Sequence, residues 1–264
     1  ARSPTNPPGR EPGRPYRRWA VESAALDLAL RQNDVSLSAA VGCDPDPVRF
    51  VASMRLGDPP TTERLDAVLD AYPGTEFKLD PTPDWDDDLV DAVAATDAAR
   101  ILDLKGLYEG TRVDFDPDPD LYDRLLSAFP DAVVEDPGFT PETRPLFDGE
   151  EGRVSWDYPI TGVASVEALP FEPAWLNVKP SRFGTVESLF GTIEWAEERG
   201  VTLYGGGQFE LGVGRDHIQL LASLFYPDGP NDVAPGGYNE PAVASDLPSS
   251  PLAAPANSVG LGWK

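Results

Sequence analysis

The stretch AWLNVKPSRFGTVESLFGTIEWAEERGVTLYGG, residues 174–206, decides the fold. It opens with a short apolar run, AWLNV (174–178), and closes with another, VTLYGG (201–206). Between them lies a segment of helical period. Leu189, Phe190, Ile193 and Ala196 fall on one stripe of residues 186–199, the mark of a helix packed on one face. A buried strand, a helix and a second buried strand form a βαβ unit, whose strands run parallel.

Outward from this unit the same alternation recurs. Strand-like runs are VRFVASM (48–54), EFKL (76–79), ARILDL (99–104), AVVE (132–135) and RVSW (153–156). Helical patterns lie between most of them, at 62–71, 87–95, 119–128, 164–169 and 215–225. This predicts an α/β fold, a (β/α)8 TIM-type barrel, with a short last strand at 231–233. An open doubly wound sheet is the alternative, weakened by the absence of a G-x-G-x-x-G turn after the first strand. Residues 16–32 predict a buried helix, mostly apolar through Ala20, Ala24, Leu26, Leu28 and Leu30. Residues 1–15 hold five prolines and read as an irregular arm. Residues 241–264 read as an irregular tail across a surface, which leaves 16–240 as the barrel.

The formal charge is −24, from 45 acidic and 21 basic residues. Such a field repels nucleic-acid phosphates rather than gathering them. Seventeen of the basic residues are Arg and only four are Lys. An acidic, lysine-poor surface suits a cytoplasm of very high salt, so a halophilic source is expected. No apolar stretch is long enough for a membrane span, and the start of the chain has no apolar signal core, so a cytoplasmic protein is expected. Cys43 is alone, which excludes an internal disulfide framework and a Cys-based metal site. A homo-oligomer is compatible with everything in the sequence.

Three of the four lysines follow buried runs: Lys78 in EFKLD, Lys105 in ILDLKG and Lys179 in LNVKPSR. Asp80 and Asp103 lie two residues from Lys78 and Lys105, so in a strand each pair shares a face. Asp103, Glu135 and Asp157 end successive runs. In a barrel, C-terminal strand ends form the catalytic mouth. Three carboxylates converging there suit a hard cation with oxygen ligands, magnesium. The simpler reading of each residue is an ion pair or a loop cap. His217, the single histidine, should lie on a helix away from the mouth. Gly205, Gly206 and Gly207 read as a tight strand exit rather than a phosphate cradle. Trp85, Trp156, Trp175 and Trp195 read as core or rim aromatics.

The chain resembles the barrel domain of the enolase superfamily, in the muconate-lactonizing subgroup with o-succinylbenzoate synthases and dipeptide epimerases. The resemblance spans about residues 16–240 and is strongest over 176–215. Asn177, Lys179, Arg182 and Gly184 match an N-x-K-P-x-R-x-G pattern. Gly206, Gly207, Glu210, Gly212, Gly214 and Arg215 match the G-G-x-x-E-x-G-x-G-R turn that follows. AVESAALDLAL (20–30) is similar to the family's first barrel helix.

The resemblance implies that Asp103, Glu135 and Asp157 hold magnesium, that Lys179 is an acid/base group, and that Glu210 takes the seventh-strand glutamate position. It implies removal of a proton alpha to a small-molecule carboxylate, through an enediolate, with a lyase or isomerase outcome. Several positions depart from the family pattern. The second-strand K-x-K is Lys78-Leu79-Asp80. The third-strand D-x-N is Asp103-Leu104-Lys105, and the fifth-strand D-E is Asp157-Tyr158. The exchange suggests an Asp80–Lys105 ion pair across neighbouring strands, with Lys105 or Lys78 as the second acid/base group. The family's N-terminal α+β cap has no counterpart in these residues. A non-catalytic or repurposed barrel, binding a small acid or a protein partner, is therefore the competing expectation.

Overall fold

The structure is a computed structural model that describes residues 13–108, 115–208, 210–255 and 258–263. Its centre is one sheet of seven parallel strands in sequence order. They are β1 (Val51–Met54), β2 (Glu76–Leu79), β3 (Ala99–Asp103), β4 (Val133–Glu135), β5 (Val154–Trp156), β6 (Trp175–Val178) and β7 (Thr202–Gly205). The helices before β1 are α1 (Arg14–Gln32) and α2 (Leu37–Val41). Those between the strands are α3 (Glu63–Ala71), α4 (Asp87–Ala94), α5 (Pro119–Ala128), α6 (Val163–Val166), α7 (Pro180–Phe183) and α8 (Val186–Arg199). After β7 comes α9 (Val213–Phe225).

Local chemistry sets the helix ends. Thr185 caps α8 by accepting from the Ser188 N–H at 2.9 Å, and Gly200, at φ +67°, ends it in the left-handed conformation. Asp86 caps α4 through the Leu89 N–H, and Asp118 caps α5 just before Pro119.

The strand period of two separates the faces. Phe77, Leu79, Leu102, Val134, Trp156, Leu176 and Leu203 belong to the main core cluster between sheet and helices. Val51, Ile101, Val133 and Tyr204 make a second, smaller cluster on the opposite face. In strand register this face continues upward as Lys78, Asp103, Glu135 and Asn177, all buried. Charged side chains so deep in a sheet survive only by pairing with one another.

Two expectations need correction. The sheet curls but is not closed by an eighth strand among the described residues. Pro227, Gly229 and Pro230 interrupt the chain after α9, and proline cannot donate to a ladder. Residues 231–232 form only a bridge. The Val51 N–H donates to Asn231 O, and the Asp232 N–H donates to Gly205 O, both at 2.8 Å. The Asn231 side chain completes the contact between β7 and β1, taking the Gly205 N–H and donating to Arg49 O. The second correction concerns α1. It packs against α7 and α8 on one side only: Leu30 and Trp19 are buried, but Leu28 is 57% exposed, with Ala20 and Ala24 also in solvent.

The arm expected at residues 1–15 lies outside the described residues up to residue 12, and α1 already includes Arg14 and Pro15. The segment after 240 forms no helix or strand among its described residues. It buries Leu252 and Leu261, and pairs with the barrel at Val48 and with Ser36. No described helix is long and apolar enough to cross a membrane.

Candidate active site

The lysines and carboxylates singled out in the sequence meet at the C-terminal edge of the sheet. In-register pairing sets Asp103 beside Glu135. Asp157 follows β5 directly. These three buried carboxylates each offer an oxygen within 4.8 Å of the others. The donor set, all carboxylate and from three consecutive strands, fits a hard divalent cation such as magnesium.

The same oxygens are served by ammonium and guanidinium groups. Lys78, 1% exposed, lies 3.0 Å from Asp103 Oδ2 and donates to Glu135 Oε1. Lys105 donates to Asp103 Oδ2 and lies 3.4 Å from Asp80 Oδ1. Arg55 holds the other Asp80 oxygen at 3.2 Å. The Asp80–Lys105 pair is thus formed. Lys105 reaches back because its backbone is left-handed, at φ +56°. Lys78 pairs across strands instead of with Asp80, whose side chain is claimed by Lys105 and Arg55.

Asp157 is held by three donors. Lys179 reaches Oδ2 at 2.8 Å, Tyr108 reaches the same oxygen at 2.9 Å, and Arg182 reaches Oδ1 at 2.6 Å. Glu135 Oε2 accepts from Asn177 at 3.0 Å and from Tyr204, whose hydroxyl also meets Ser155. The buried Asn177 Oδ1 has no partner among the described residues. Asp136, next to Glu135, accepts the N–H groups of Asp157 and Tyr158 at 2.9 and 2.7 Å and so fixes the exit of β5.

Burial disfavours the charged form of Asp103, but Lys78 and Lys105 override it and hold its carboxyl well below the ordinary range. Asp157 is depressed in the same way, by Lys179 and then Arg182 against burial. Glu135 is the hardest of the three to ionise. Burial raises its pKa, Lys78 opposes the rise, and Asp103 and Asp157 reinforce it. Asp136 is pushed up to about 7, by burial and then by the Asp157 charge. Burial alone would lower Lys78 and Lys105, yet Asp103 leads the carboxylates that keep both well above the usual lysine range. Paired with these carboxylates, both ammonium groups therefore hold their protons.

The glycines after β7 are required by crowding at a tight strand exit. A Cβ on Gly206 would meet Asn177 Oδ1 at 2.7 Å and Lys179 Cε at 2.9 Å. One on Gly207 would strike the Glu210 carboxylate. Glu210 accepts from Ser181 at 3.1 Å and from the Gln208 N–H, so it braces this loop instead of joining the carboxylate cluster. Tyr158 is 42% exposed at the rim, against the Tyr108 ring. His217 lies in α9, outside the mouth, as its position in the sequence predicts.

Tyr108, Tyr204, Asp136 and Asp232 were not legible as site residues. Arg182 was visible only as a motif match. For Tyr204 and Arg182 a signal existed. Tyr204 pairs with Asn177 in the strand register, and Arg182 sits one helical turn after Lys179.

Residues 44–240 match the C-terminal domain of a family described as a domain of unknown function, DUF8230, and residues 2–40 match its N-terminal domain. The chain belongs to the DUF8230 family. No curated protein matches this DUF8230 chain. Among solved structures it is similar to an enolase superfamily member from Listeria innocua, with 23% identity and a TM-score of 0.71, over 93% of this chain and 67% of that one. A dipeptide epimerase from Methylococcus capsulatus, complexed with Mg and the dipeptide L-Arg-D-Lys, matches at 21% identity and a TM-score of 0.63. That match covers 82% of this chain and 62% of the epimerase. Muconate cycloisomerase from Pseudomonas fluorescens matches at 19% identity and a TM-score of 0.66, over 94% and 72%. The chain thus spans less than two thirds of the epimerase's length. At these identities the likeness establishes the fold.

Proposed function

We propose that this protein removes a proton from the carbon alpha to a small-molecule carboxylate, in the manner of the muconate-lactonizing branch of the enolase superfamily, with magnesium held by Asp103, Glu135 and Asp157. The observation that carries the reading is the convergence of these three buried carboxylates, with Lys179 at their edge, at the C-terminal ends of parallel strands. Magnesium would supply positive charge to a substrate carboxylate and so lower the cost of ionising the neighbouring C–H bond. Lys179 lines the open cavity and acts as the base. Asp157 orients its amine, and Arg182 shares the charge of Asp157, so that the lysine is not bound to it alone. Lys105, kept protonated by Asp103, stabilises negative charge developing on the substrate. Asn177 and Tyr204 keep Glu135 turned toward the cluster. Loss of a leaving group from the resulting carbanion makes the protein a lyase, and return of a proton on the other face, from the Lys105 ammonium, makes it an isomerase.

A second reading, a barrel that binds a small acid without turning it over, is favoured by one observation. Every ammonium in the cluster is already paired, and Asp80 stands where the family pattern carries its second lysine. The deciding experiment is proton exchange in deuterated water, followed by NMR over a panel of carboxylic acids. Magnesium-dependent exchange that disappears in Lys179→Ala supports the enzyme. Exchange undiminished in that variant removes Lys179 from the mechanism, and no exchange with any acid supports the binding barrel.

A further inference from the structure

The mouth opens into a cavity of about 620 Å3 whose lining carries more basic than acidic side chains, the reverse of the chain as a whole. Seven of the chain's 21 basic residues line it, against three of its 45 acidic ones. Elsewhere carboxylates outnumber cations three to one, so this gathering of basic side chains is not an average patch of surface. A cleft of one sign, walled by protein, focuses its field on ligands of the other sign.

Five of the seven cations are accounted for. Arg55, Lys78, Lys105, Lys179 and Arg182 each hold a carboxylate. Arg64 and Arg215 do not. Neither has a carboxylate ion-pair partner among the described residues. Arg64 donates to the carbonyls of Tyr238 and Pro241, and Arg215 to those of Glu210 and Ala234. A guanidinium has five N–H donors, so each keeps donors for a ligand. Asp232 feels the charge of Arg215 without forming an ion pair with it.

Their place in the topology matters. Arg64 sits in the first turn of α3, after β1, and Arg215 in the first turn of α9, after β7. Both therefore flank the seam where residues 231–232 join the two edges of the sheet. The carboxylate cluster stands on β3, β4 and β5, on the other side of the same mouth. Arg64 and Arg215 line the same cavity as Lys78, Lys105 and Lys179, which hold that cluster.

We propose that Arg64 and Arg215 form a second anion subsite, and that the substrate is an extended dianion with two anionic groups separated by a spacer that crosses the mouth. Planar guanidinium forks bind carboxylate or phosphate oxygens in pairs, which point-charge lysines do not. This inference rests on the proposed function only in placing the first anionic group at the cluster.

The test is calorimetric titration of the whole chain with magnesium present, at fixed high ionic strength. The probes are linear dicarboxylates from succinate to suberate, the monocarboxylates of equal length, and inorganic phosphate. The expected result is at least one dicarboxylate binding ten-fold or more tightly than its matched monocarboxylate. Arg64→Gln and Arg215→Gln should abolish that preference and leave the monocarboxylate affinity unchanged. Arg64→Lys, which keeps the charge and a donor to the 238–241 carbonyls, should retain part of it. Phosphate that competes with the dicarboxylate but not with the monocarboxylate also supports the subsite and points to a phosphorylated acid. Equal binding of the two classes overturns the subsite and leaves the catalytic reading intact. Variants that weaken both classes alike reduce the arginines to holding the 234–241 segment and also overturn it. Binding of neither class sinks the substrate-binding mouth itself.

Discussion

Replacing Lys78 by Met probes the cluster most sharply. The ammonium is 1% exposed and lies between Asp103, at 3.0 Å, and Glu135. One such contact at 3.0 Å carries a gross attraction of roughly 5–6 kcal/mol at an effective dielectric of about 20. Taking the lysine out of water opposes this by several kcal/mol. The variant also leaves two carboxylates with fewer cations. Asp103 keeps Lys105, whereas Glu135 keeps only neutral donors and escapes by binding a proton. A net loss of about 3–5 kcal/mol is expected without divalent cations. At about 2–4 °C per kcal/mol, this lowers the melting temperature by roughly 10 °C. Magnesium can take over the lost charge. At a hundred times its dissociation constant it returns about 2.7 kcal/mol, more than half of the loss. In the wild type the ion must first displace the ammonium, so its stabilisation is smaller. The assay is thermal unfolding at constant high ionic strength, with and without magnesium. A variant that responds to magnesium no more than the wild type would refute the idea that ammonium and metal compete for these oxygens. An unchanged melting temperature without magnesium would show that the Lys78 bridge carries no weight.

Two other predictions use pairs and protons outside the metal question. Asp80→Asn and Lys105→Gln should be less than additive, with a coupling of about 1–2 kcal/mol, because the two groups meet at 3.4 Å while Arg55 and Asp103 remain as alternative partners; strictly additive losses in denaturant unfolding would exclude a working pair. His217 should titrate below 6.5, because burial disfavours its charged form more than Asp27 and Asp216 favour it. The unfolded histidine then takes up its proton first, so the stability His217 contributes is complete above pH 6.5 and is lost as pH falls below it. The chain has one histidine, so a single NMR resonance reports the midpoint, and a midpoint above 6.5 contradicts this environment.

Much of this arrangement was legible because period and spacing are local. The α8 stripe and the apolar runs around it place β6 and β7 within a residue or two. Lys78, Asp103, Glu135 and Asp157 could be read as one cluster because strand ends in a parallel sheet share an edge. What failed depends on long-range closure. An eighth strand at 231–233 looked available, but flanking prolines and a glycine leave room for a bridge only, with the Asn231 side chain supplying bonds that a backbone ladder would make. The alanines and leucines of α1 looked buried because composition does not reveal that α7 and α8 cover one side of the helix and leave Ala20, Ala24 and Leu28 in solvent. Arg64 and Arg215 gave no signal as a pair, since they lie 151 residues apart and meet the same cavity only when β1 and β7 become the two edges of one sheet.

The most direct test of the central claim is a crystal structure with manganese in place of magnesium, using anomalous scattering to locate the ion. An anomalous peak touching Asp103, Glu135 and Asp157, with the Lys78 ammonium drawn away from the space between Asp103 and Glu135, is the predicted result. Lys78 and Lys105 still seated on these carboxylates, with no peak among them at saturating manganese, would contradict it.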